Sequence, residues 1–103
     1  MAKYNIQWTG FAIESLEQIE SHITKEAKSK RPATKLINKI FKEVDLLQTN
    51  PLSFQEEPYL KEKGISARHL IIGMYKVIYI ITDSTVNITD VFNCSQHQSK
   101  INS

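Results

Sequence analysis

The sequence predicts a two-layer α+β domain in the order strand, helix, helix, strand, strand, strand (βααβββ). Two periodicities and the residues between them lead there. Apolar residues recur every three or four positions over about residues 11–49, as on one face of a helix. On either side, over residues 3–9 and 65–92, the pattern is strand-like, and Gly, Pro, Asn and Asp mark the changes of period. At 103 residues, with no repeat and no linker, the chain reads as one domain spanning 1–103.

In the first strand Tyr4, Ile6 and Trp8 alternate with Asn5 and Gln7, the mark of a half-buried strand. Thr9-Gly10 ends it and offers an N-cap. Ala12, Leu16, Ile19, Ile23 and Ala27 then trace one face of a helix over about 11–29. Its glutamates fall in the first half, where the helix dipole favours them. After a short connector, Pro32 suits the first turn of a second helix, since no intrahelical bond needs its missing N–H. Ala33, Leu36, Ile37, Ile40, Phe41, Val44 and Leu47 form a broad apolar stripe, and Thr49-Asn50-Pro51 should end it. So short a connector implies an antiparallel helical hairpin.

Residues 51–64, with Pro51, Pro58, Gly64 and mixed charges, read as loop. Strands are expected over 65–72, Tyr75–Thr82 and Val86–Phe92, joined by turns at Gly73-Met74 and Asp83-Ser84: a three-stranded antiparallel meander. The stretch from Asn93 to Ser103 is polar and reads as a fraying tail. Tyr75, Val77, Tyr79 and Ile81 share one face of the long strand, and Lys76, Ile78, Ile80 and Thr82 share the other. Both faces are largely apolar, as in a central strand. Asp90 has the parity of Ile88 and Phe92, so either a bulge resets the register there or Asp90 is a paired polar residue. The helices must pack on one sheet face. The expected core is Leu16, Ile19, Ile23, Leu36, Ile40, Phe41, Val44, Val77 and Tyr79.

Hydrophobic residues make up 41% and charged residues 23%, which excludes disordered, collagenous and disulfide-scaffold chains. The single cysteine, Cys94, suits a reducing compartment. No stretch reaches the roughly 18 apolar residues of a membrane span, and the N-terminus carries no apolar signal core. A soluble, cytoplasmic protein is expected. A net charge of +2 does not by itself establish nucleic-acid binding. The charge is uneven, however. Lys25, Lys28, Lys30, Arg31, Lys35 and Lys39 fall within fifteen residues, with Glu26 the only acid among them. They form either a solvated helix face or an electrostatic footprint for nucleic acid or an acidic partner.

Several residues, taken with the element order, resemble the RelE/ParE superfamily of toxins from type II toxin–antitoxin systems. Ala12-x3-Leu16-x2-Ile19 is similar to the family's opening helix. Leu36-Ile37, Leu47 and Pro51 are similar to its second helix and exit. Arg68-x-Leu70 followed by Tyr75-Lys76-Val77-Ile78-Tyr79 resembles its Arg-bearing strand and Tyr-basic-x-x-Tyr strand, and Asp90-Val91-Phe92-Asn93-x2-Gln96 its closing strand. The resemblance covers roughly residues 4–101. It implies a small toxin neutralised by a cognate antitoxin, with no cofactor and no membrane. It leaves two activities open, inhibition of DNA gyrase and cleavage of mRNA on the ribosome, besides a degenerate member that only binds its antitoxin.

An RNA-cleaving site must take a proton from the 2′-hydroxyl, return one to the leaving oxygen and stabilise the phosphorane charge. By the resemblance, Lys76 and Arg68 would supply the cations, His97 the acid–base group and the loop lysines Lys61 and Lys63 further contacts to the nucleic acid. Yet Cys94-Ser95-Gln96 stand where those nucleases carry basic residues, and their C-terminal Tyr is missing, so the gyrase branch is favoured. Each candidate also has a plain structural reading. Arg68 can serve an acid or the sheet edge, Lys76 can be a solvated strand residue, His69 a packed one and His97 an exposed one in the tail. Cys94-x2-His97 has metal-ligand spacing but no second pair, and a structural zinc site wants four ligands. With only three glycines, Gly10, Gly64 and Gly73, there is no phosphate-cradling loop. Ile78 and Ile80, apolar and turned away from the helices, are the expected contact surface for the antitoxin.

Overall fold

The computed structural model describes residues 3–54, 56 and 66–94. The expected order is observed: β1 (Asn5–Trp8), α1 (Gly10–Ala27), α2 (Arg31–Asp45), single-turn 3-10 helices at Leu46–Gln48 and Pro51–Ser53, then β2 (Arg68–Ile72), β3 (Tyr75–Thr82) and β4 (Thr85–Asn93).

Thr9 caps α1. Its backbone is extended and its Oγ1 accepts the Ala12 N–H at 3.1 Å, which satisfies a donor that the first helical turn cannot. The helix ends at Lys28, in the left-handed region at φ 55°, whose N–H bonds back to the Thr24 carbonyl. Arg31 and Pro32 open α2, with the Arg31 N–H donating to Ser29 Oγ at 3.2 Å. The α-helix stops at Asp45, short of the expected Thr49-Asn50, and tightens into the first 3-10 turn, where the Leu46 N–H bonds both Glu43 and Val44 carbonyls. A 3-10 turn still delivers Leu47 to the core, fully buried, so the apolar spacing hides the change of helix type.

The sheet order is β1-β4-β3-β2. The last three strands form the expected meander. Gly73 (φ 60°) and Asp83 (φ 55°) take the positive φ at the first position of two-residue turns, which matches the twist of the flanking strands. β1 lies parallel to β4, from Asn5 opposite Thr85 to Trp8 opposite Ile88. The two ends of the fold are therefore sheet neighbours.

The β3–β4 register shifts between Ile78 and Tyr79. Ile78 faces Asp90 while Tyr79 faces Ile88, so Thr89 is the extra residue of a bulge. The bulge lets Val86, Ile88 and Val91 all enter the core and turns Asp90 and Phe92 out of it.

Both helices pack on one face of the sheet, α1 over β4 and α2 toward β2. That layer holds Ala12 and Leu16 from α1, Ile40 and Val44 from α2, and Leu70, Val77, Tyr79 and Ile88 from the sheet. Of the expected core, Ile19, Ile23 and Leu36 are only half-buried, and Phe41 is corrected: it is 40% exposed. One residue beyond Ile40 turns Phe41 about 100° off the buried stripe. Its ring instead meets Trp8 edge-on, with centroids 5.2 Å apart. No helix among the described residues is long and apolar enough to cross a membrane.

Candidate functional site

Residues directly opposite in an antiparallel pair share a sheet face. Arg68 stands opposite Tyr79, and Lys76 opposite Ile71. Tyr79 belongs to the helix-side core, so Arg68 is on that side and Lys76 on the reverse. The two cations proposed to act together on a phosphate are thus separated by the thickness of the sheet. Arg68 is committed locally. Its Nη1 donates to the Phe54 carbonyl at 2.6 Å, and its backbone bridges to Glu56. Tyr79 is fully buried and donates its OH to the Pro51 carbonyl at 2.5 Å. Burial pushes its pKa up to about 12, against a smaller opposing pull from the Arg68 charge.

On the reverse face, Ile78 is fully buried and packs with Ala67, Ile80 and Phe92. Ile78 therefore offers no area to a partner in this conformation, contrary to expectation, while Ile80 remains half-exposed. What lies over a sheet face is decided by distant parts of the chain, and the parity of β3 carries no information about it. Lys61, Lys63 and His97 lie outside the described residues, and with His97 the Cys94-x2-His97 spacing; Cys94 is exposed and free.

The structure brings a different group of residues together. A groove of about 540 Å³ runs between α1 and the far end of β4. One wall is a stripe of α1 from Phe11 through Ser15 and Gln18 to His22. The other wall is Tyr75, Asp90, Phe92 and Asn93. Asp90 stands opposite Ile78 across β3 and β4, so its stretch of β4 borders the groove while its carboxylate turns to the reverse face. It is half-buried, and burial raises its pKa, countered in part by the hydrogen bond from the Thr89 hydroxyl to Oδ2 at 3.0 Å. Among the described residues no cation forms an ion pair with it. The bulge sets the face to which Asp90 turns, and the parity break at Asp90 was the one signal in the sequence that pointed to it. The α1 wall carries no signal of its own, because Phe11, Ser15 and His22 lie off the stripe that enters the core.

Chemically, the helix-side face near Arg68 is a structural tie, and the groove is an open cleft beside α1, with the half-buried Asp90 carboxylate on the other face of the sheet. Among the described residues, neither assembles a proton donor, a proton acceptor and a cation around one phosphate.

The family model described as "ParE toxin of type II toxin-antitoxin system, parDE" matches residues 6–97. Among solved structures, a chain of the chromosomal ParDE TA system from P. aeruginosa is similar at a TM-score of 0.71 and 18% identity, covering 88% of this chain and 96% of that one. At that identity the likeness speaks for the fold. No curated protein sequence matches.

Proposed function

The chain belongs to the ParE toxins of type II toxin–antitoxin systems, and on that premise we propose that it inhibits DNA gyrase through surface complementarity, without catalysing a reaction, and is neutralised by its cognate antitoxin. The observation that carries this reading is the separation of Arg68 and Lys76 on opposite sheet faces, with Arg68 already hydrogen-bonded to the Phe54 carbonyl. A nuclease needs its cations converging where charge develops in the transition state. A gyrase-binding protein needs only a fitting surface.

The test is to induce the protein alone and together with the gene beside it, and to follow growth, RNA integrity and plasmid supercoiling in the same cultures. The expected result is growth arrest with intact transcripts and altered supercoiling, relieved by the neighbouring gene. Purified protein should inhibit gyrase-catalysed supercoiling with a shallow pH dependence, since no proton transfer is involved. Ribosome-dependent mRNA cleavage, lost by about 10²–10³ in a folded Lys76→Ala variant, would overturn the reading in favour of the nuclease.

A further inference from the structure

We propose that the outer face of α2 is a contact site for the phosphate backbone of duplex DNA, formed by Arg31, Lys35, Lys39 and Lys42. The contact stands on its own geometry. Its use, to hold the DNA on which gyrase works, rests on the gyrase reading above.

Positions 31, 35, 39 and 42 follow one another at steps of four, four and three within one continuous α-helix. At about 100° per residue they fall within an arc of about 80° and form one stripe. All four residues are exposed. The buried residues of the same helix, Ala33, Ile40 and Val44, lie on its opposite side, so the stripe faces away from the core. None of the four cations forms an ion pair among the described residues. Even Lys39 and Glu43, spaced as helical neighbours, stay apart. Like charges at these spacings destabilise a helix, and nothing in the described fold neutralises them. Charge is also divided between the two helices. Over residues 25–42 Glu26 is the only acid, whereas Glu14, Glu17 and Glu20 all belong to α1. Lys28 and Lys30, exposed just ahead of Arg31, extend the positive end of the hairpin.

Length and residue type select the partner. From Arg31 to Lys42 the stripe runs about 16 Å along the helix. Each strand of duplex DNA carries a phosphate for about every 3.4 Å of axis, so a helix laid along the backbone meets about five of them. A row of exposed point charges with no ion pairs of its own complements such a row of anions. An acidic protein surface fits it less well. Protein interfaces centre on aromatic and apolar anchors and are poor in lysine. Here three of the four cations are Lys, no large apolar side chain shares their arc, and Leu46 lies beyond its end.

Two measurements test this. The first follows binding of a short DNA duplex of arbitrary sequence between about 50 and 200 mM salt. Four phosphate contacts predict a log–log slope of about −3.6, a loss of affinity of about 10²-fold across that range. The double variant Lys35→Gln/Lys39→Gln should make the slope shallower by about 2. Lys3→Gln, at an exposed position outside α2, should leave it unchanged. Absence of saturable binding at the lower salt, or equal effects of the two changes, overturns the contact. So does tighter binding of an RNA duplex of the same length, or competition by polyglutamate as effective as that by DNA at equal charge. The double variant removes like-charge neighbours and should melt at a higher temperature in low salt. A fall would show that the fold itself uses these lysines and would overturn the premise. The second measurement is gyrase-catalysed supercoiling, where the double variant should need about 10-fold more protein, or above, for half-inhibition. Equal inhibition by wild type and variant overturns the use of the stripe on gyrase-bound DNA. A wild type that binds the duplex but leaves gyrase active overturns the gyrase reading instead, and the DNA contact stands.

Discussion

Arg68 and Tyr79 stand opposite each other across β2 and β3, and both reach the same short stretch of chain: Arg68 Nη1 donates to the Phe54 carbonyl at 2.6 Å and Tyr79 OH to the Pro51 carbonyl at 2.5 Å. Together they fasten the second 3-10 turn to the sheet. Pro51 is buried, so its carbonyl has no ready replacement from solvent.

Tyr79→Phe should therefore lower stability by about 1–3 kcal/mol, the cost of stranding a buried acceptor. Chemical denaturation measures this directly, and an unchanged midpoint would show that the Pro51 carbonyl finds another donor. The pH dependence has a definite sign. The folded pKa of about 12 lies above the ordinary tyrosine value of 10.0, so the unfolded chain releases this proton first. Stability from Tyr79 is complete below pH 10 and falls as pH rises from 10 toward 12. The difference between wild type and Tyr79→Phe should shrink across that window.

Ile40 and Phe41 are adjacent but should respond differently. Ile40→Ala opens a cavity at a fully buried site and should cost about 2–5 kcal/mol. Phe41→Ala removes a 40%-exposed ring whose chief contact is the edge of Trp8, and should cost about 0.5–1.5 kcal/mol beyond its modest burial. Trp8 is the only tryptophan, so its fluorescence reports the second change specifically. An emission spectrum unaltered in Phe41→Ala would refute the ring contact.

Thr9→Ala should cost about 0.5–2 kcal/mol, because it removes the hydroxyl that accepts the Ala12 N–H at the start of α1. Thr9→Ser keeps that oxygen and should restore most of the loss. If the two variants melt together, the cap contributes nothing measurable.

Asp90→Asn should raise the melting temperature at pH 7. Burial lifts the Asp90 pKa above the ordinary carboxylate range, so the unfolded chain ionises first. The native state then loses stability as pH climbs from that range through the folded pKa. Asn removes the charge and still offers an oxygen to the Thr89 hydroxyl. The gain should disappear in acid, where Asp90 is neutral in both states. A variant less stable than wild type at pH 7 would show that the carboxylate is better satisfied than its surroundings indicate.

Local pattern carried most of the fold. β3 begins and ends where alternation predicts, at Tyr75 and Thr82, because its period is unbroken and a turn residue stands at each end. The first turn of α2 was legible from Pro32 for a similar reason. The pairing of β1 with β4 was not, since nothing within Asn5–Trp8 specifies a neighbour 80 residues away. The same limit applied to the site. The parity of Arg68 with Leu70 and Ile72 already placed it on the core side, away from Lys76, but a family-like motif read along the chain does not distinguish faces. The facing of Asp90 needed the bulge at Thr89, and one extra residue in a ladder is visible only as a parity that fails at Asp90.

The parallel contact between β1 and β4 also orders events during synthesis. When Asn5–Trp8 leave the ribosome, their partner Thr85–Ile88 has not yet been translated, and at about 5–20 residues per second the wait lasts several seconds. Until then β1 can find no neighbour in the sheet, and the helices have no complete surface to cover. A message cut short before codon 85 yields a chain that lacks β4 and cannot close the sheet, so an unfinished copy of this toxin is expected to be harmless to the cell that makes it.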